Sequence, residues 1–179
     1  KPITESSISA CLKYFYGNAP IGLLNYFFEA DTLKVWLLNH DGMQFQGQST
    51  VTEKELGKLG EDLSKGLKLK RHERTRIPHD RGVGFDIEEE IEEEVDLDQV
   101  IQSLSDVLFP EGLSQRFLQQ EIEHIIIIPA LNLQQLPFSI LKPCDDETLF
   151  IDKWSYSIAS SIYDIAKLTL RKKTKQSGT

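Results

Sequence analysis

The chain has 179 residues, of which 40% are apolar and 27% charged, and its formal net charge is −8. Those values suit one globular domain of ordinary size with its own core. They exclude a broad nucleic-acid surface, which needs clustered cations, and no run reaches the roughly 18 apolar residues of a membrane helix. The opening Lys1-Pro2-Ile3-Thr4-Glu5 carries neither an initiator Met nor a signal-peptide core, which points to a fragment or a processed product. Cys11 and Cys144 give no disulfide framework and no metal spacing, so a reducing cytoplasm is the expected compartment.

Ile8, Cys11, Leu12 and Phe15 recur at helical spacing, and Asn18-Ala19-Pro20 ends the pattern. Residues 1–22 are therefore expected as an N-terminal helical segment. Leu23-Leu24-Asn25-Tyr26-Phe27-Phe28 has the composition of a strand, as does Leu33-Lys34-Val35-Trp36-Leu37-Leu38. Glu29-Ala30-Asp31 and His40-Asp41-Gly42 read as turns, and Met43 to Val51 as a third strand. Short connections make the three an antiparallel meander.

Thr52 with Glu55 forms a capping-box pattern ahead of Leu56, Leu59, Leu63 and Leu67, which marks a helix. Gly57, Gly60 and Gly66 weaken that helix by roughly 1 kcal/mol each relative to Ala. The basic stretch from Lys65 and the acidic stretch from Asp86 to Asp98 predict a charged surface loop over about 70–97. Val100, Ile101, Leu104, Val107 and Leu108 form an amphipathic helix ending near Pro110. Leu113, Phe117 and Leu118 continue as a second helical piece.

Ile125-Ile126-Ile127-Ile128 leaves no polar face, so this strand is expected to be covered on both sides, at the centre of a parallel or mixed α/β sheet. Pro129 ends it. Leu136-Pro137-Phe138 to Leu141 packs after it. Leu149-Phe150-Ile151 and Trp154 to Ile158 read as short strands, Ser160 to Leu170 as a helix, and residues 171–179 as a basic tail or linker.

This order of elements resembles the first half of CHAT domains, the caspase-like cysteine-peptidase modules. The residues that carry the likeness are Ile125-Ile126-Ile127-Ile128-Pro129, Leu136-Pro137-Phe138-Ser139-Ile140-Leu141 and Trp154-Ser155-Tyr156-Ser157-Ile158-Ala159-Ser160-Ser161. It spans roughly residues 23–170. Two positions depart from the family pattern: Ala130-Leu131 follows the strand where the family often has Asp-Gly, and Ala159-Ser160-Ser161 lacks a Pro. The resemblance implies a caspase-like mixed sheet with flanking helices. It also implies a catalytic His and Cys that follow later strands, C-terminal to the matched region. On this reading the chain is a scaffold or regulatory half without a catalytic residue, cofactor or metal of its own. Its expected partners are the catalytic half, a tetratricopeptide-repeat domain or activator, and a protein substrate. The alternative is a stand-alone protein–protein interaction module.

The residues themselves offer few candidates for chemistry. Cys144 lies beside Asp145 and Asp146, which disfavour the thiolate a nucleophile needs. Cys11 falls in the apolar stripe of a helix and reads as core. His124 could act as a base, but the sequence places no partner near it. His40 belongs to a turn. His72 and His79 are too loosely spaced for a metal site. The acidic run Glu88 to Glu94 reads as a solvated surface, with pairing to the basic stretch as a regulatory option. Gly82-Val83-Gly84 lacks the context of a phosphate loop.

Overall fold

The computed structural model describes residues 4–75, 95–144, 146–161 and Ile165. Five strands form one mixed sheet in the order β3-β2-β1-β4-β5. β1 (Ile21–Glu29), β2 (Thr32–Asn39) and β3 (Gly42–Thr50) make the antiparallel meander that their composition predicts. Gly42 closes the second turn at φ 120, a backbone angle that favours glycine, and Asn39 Oδ1 accepts the Asp41 N–H at 2.8 Å. β4 (His124–Ile128) runs parallel to β1 with Leu23 opposite Ile126, and β5 (Ser155–Ile158) runs parallel to β4. The chain is thus a mixed α/β protein, as the sequence implies.

The apolar run of β4 is explained by its two neighbours in depth. Ile125 and Ile127 join Leu24, Tyr26, Val35 and Leu37 in the larger core, beneath the helices α2 (Glu53–Thr75), α3 (Leu97–Leu108) and α4 (Leu113–Gln119). Ile126 and Ile128 face the other way, with Leu23 and Leu38, under Ile8 and Leu12 of α1 (Glu5–Tyr16) and under Ile165. Each of the four is at most 6% exposed, so each contributes about 1.5–3 kcal/mol of burial. The sheet's middle strand is nevertheless β1, not β4. Among the described residues the meander adds two strands outside β1, whereas β4 has only the four-residue β5 beyond it.

Two expectations change. The stretch from Lys65 is helical rather than loop as far as Thr75, because α2 continues through it. Lys, Leu, Arg and Glu there are good helix formers and no Pro interrupts them. Gly66 fits this helix because a Cβ at that position would stand 3.0 Å from Leu97 Cδ1 of α3. Second, Leu149-Phe150-Ile151 is not a strand; Phe150–Lys153 forms a one-turn helix, α5. One helical turn brings Phe150 and Trp154 to the same side, where they are 0% and 2% exposed, which an extended chain would not do. The remainder of the charged loop (76–94), the tail (171–179) and most of the expected helix over 160–170 lie outside the described residues.

The helix starts follow their caps. Thr52 N–H donates to Glu55 Oε2 at 2.8 Å and Glu55 N–H donates to Thr52 Oγ1 at 3.2 Å, which is the anticipated capping box. Asp96 accepts the N–H groups of Asp98 and Gln99 and so opens α3. Among the described residues no helix is long and apolar enough to cross a membrane.

Candidate functional site

Cys144 is half-buried in a loop tied down by charge. Asp146, one of the carboxylates seen in sequence, is joined by a cation that sequence does not reveal. Lys153 returns to the loop, donates to Asp146 Oδ2 at 2.6 Å and contacts the Cys144 side chain. Hydrogen bonding from Lys153, then from Thr148, holds the Asp146 carboxyl down to about 2. Asp146 in turn raises the Lys153 ammonium, with a further contribution from Cys144. The pairing ties Lys153 of α5 to Asp146 and sets its ammonium beside the Cys144 side chain.

His124 does gain partners. Its Nδ1 lies 2.9 Å from Ser155 Oγ and its Nε2 lies 3.0 Å from Ser157 Oγ. Ser155 Oγ also lies within donating distance of Glu123 O, at 3.1 Å. The order resembles a nucleophile and base with a third, orienting group. Both serines are exposed on the outermost strand, however, and both ring nitrogens are already spoken for by hydroxyls. What the cluster does is fasten β4 to β5. A Ser-x-Ser pattern in a strand was visible in sequence, but its register against His124 was not.

His40 and Cys11 lie on different elements. His40 pairs with Asp41 at 3.2 Å in its turn. Cys11 is half-buried on α1. His72 falls within α2, and His79 with the Glu88 to Glu94 run lies outside the described residues. Among the described residues no group of three or more His, Cys, Asp or Glu could hold a metal.

Two features of the sheet remain as places where something could bind. The first is a cavity of about 960 Å³ between α2 and residues 130–137. Leu56, Leu63, Leu133, Leu136 and Phe28 line it, together with Glu53, Lys54 and Glu61. It lies at the carboxyl ends of β1 and β4. The sequence gives no hint of it, because its walls come from segments about 75 residues apart in chain order.

The second feature is the outer edge of β5. Ser155 N–H donates to Glu123 O and Ala159 N–H to Ile127 O, so residues 155, 157 and 159 turn their main-chain groups toward β4. Alternation then directs those of Tyr156 and Ile158 outward, where no strand pairs with them among the described residues. The edge sequence Ser-Tyr-Ser-Ile holds no charge, Pro or bulge to deter a partner.

No family model and no curated protein matches the chain. Among solved structures, a chain described as "Alp12 filament structure" is similar over 95% of this chain at 12% identity and a TM-score of 0.41. This chain spans 53% of that one, about half its length.

Proposed function

We propose that this chain is the non-catalytic half of a CHAT-type caspase-like cysteine-peptidase module, and that a second half bearing the His/Cys dyad completes it. The observation that carries the reading is the outer edge of β5, which runs parallel to β4 and is unpaired among the described residues. Strands added there in the same direction would end on the side of the sheet where the cavity lies. Residues that follow those strands would meet there. In such a module this half supplies core, orientation and a contact surface for a repeat domain or activator, and the chemistry belongs to the second half.

The test is amide exchange at the edge. Tyr156 and Ile158 N–H are expected to exchange quickly in the 179-residue chain and slowly in the parent polypeptide. Equal, fast exchange in both would sink the proposal. The gene beyond codon 179 gives an independent check: a His-Gly after one apolar strand and a Cys after the next support it, and an immediate stop codon overturns it. A stand-alone interaction module is the second reading, and the cavity is the observation that favours it.

A further inference from the structure

Beyond either reading of the whole chain, we infer that the cavity along α2 is the docking groove for an amphipathic helix of a partner protein, about four turns long, with a Lys or Arg at its middle. The length comes from α2 itself. Lining residues run from Glu53 to Leu67, which at about 1.5 Å per residue is roughly 20 Å of groove. Leu56, Leu63, Leu67, Leu133 and Leu136 give the lining an apolar stripe, interrupted by Glu53, Lys54, Glu61, Ser64 and Gln135, and Gly57 leaves room for inserted side chains, since a Cβ there would meet nothing within 4 Å.

The secondary structure of the occupant follows from the backbone. An extended segment needs free main-chain partners, and the walls offer none in a row: one is the interior of a helix, and the other is a 3-10 turn, Leu131–Gln135, bonded within itself. A helix satisfies its own N–H and C=O groups and needs only an apolar face. The charge follows from the lining. Glu53 and Lys54, adjacent at one end, offset each other. Glu61 stands midway along the groove with no cation in ion-pair range among the described residues. A basic residue opposite it completes the pair, and a helix with an acidic residue there is repelled.

The probe is a labelled synthetic helix of about four turns, with leucines at i, i+3, i+7 and i+11 spacing and one central lysine, titrated by anisotropy against the full chain. Gly57→Leu is expected to weaken binding about tenfold or more while the thermal midpoint holds or rises, because Gly is a poor helix former. Glu61→Lys is expected to weaken the lysine probe by a similar factor and to bind better a probe whose lysine is replaced by glutamate. Undiminished binding by Gly57→Leu, or a Glu61→Lys variant indifferent to the probe's charge, would overturn the assignment. So would self-association of the unliganded chain that Gly57→Leu abolishes, which would give the groove to a second copy. Binding of an apolar dye that Gly57→Leu blocks, without any binding of the helix, would give it to a small ligand.

Discussion

Ile126 and Ile127 are consecutive in β4 and point into different cores, 4% and 0% exposed, one beneath α1 and the other among the residues under α2, α3 and α4. Ile126→Ala and Ile127→Ala should each cost about 2–5 kcal/mol in urea unfolding. Because the two side chains share no core cluster, the double variant should equal the sum of the singles within about 0.5 kcal/mol. Coupling well above that would mean that the sheet transmits strain from one face to the other.

Tyr26 joins β1 to α3: its buried hydroxyl donates to Leu108 O at 2.8 Å. Tyr26→Phe leaves that carbonyl unsatisfied and should cost about 1–3 kcal/mol. Burial also pushes the phenol far above its usual range. The folded pKa is raised, so the stabilisation is complete below the unfolded value of about 10 and is lost as pH rises beyond it. Absorbance of the Tyr26 phenolate should appear only together with alkaline unfolding. Its appearance in a chain still folded by circular dichroism would contradict the burial.

The Asp146–Lys153 pair gives an acid-side counterpart. The Asp146 carboxyl is lowered to about 2 from 3.8, chiefly by the hydrogen bond from Lys153. Its contribution is present above the unfolded value and is lost as pH falls from about 3.8 toward about 2. Carboxyl-carbon NMR should find the low midpoint in the native chain. Lys153→Met should return it toward the ordinary carboxylate range, and an unmoved midpoint would mean that Lys153 is not the cause.

Gly22 tests the packing between β1 and β2. A Cβ there would meet Ile122 Cδ1 at 2.9 Å and Leu37 Cδ1 at 3.0 Å, both on buried side chains. Gly22→Ala should therefore destabilise by about 1–3 kcal/mol, despite alanine's lower unfolded-chain entropy. Gly57→Ala, facing open space, should instead stabilise by about 0.5–1 kcal/mol. Equal effects at the two positions would contradict the packing.

What could be read from sequence is what depends on neighbours in the chain. The meander, the Thr52–Glu55 cap and the two-sided burial of Ile125 to Ile128 are written in period, composition and turn residues. What could not be read depends on register and return contacts. His124 meets Ser155 and Ser157 only because β5 aligns Ser155 with it. Lys153 reaches Asp146 only because α5 forms, and α5 forms because Phe150 and Trp154 both find the core. The cavity belongs to the same class, since the packing of α2 against residues 130–137 is a tertiary fact that no local pattern encodes.

The pairing of β1 with β4 also sets the order in which the chain can fold. β1 to β3 meet through turns of a few residues, whereas Leu23 must wait for Ile126 from far along the chain. Closing so long a loop is slow, so the meander should form first and β4 should dock late. Until then four isoleucines in a row stand exposed, uncharged and rich in β-propensity, the profile of a segment prone to intermolecular stacking. Pro129 stands directly after them. It ends the strand in the folded chain, and in the unfolded one it is the gatekeeper that keeps this run from extending into an aggregate.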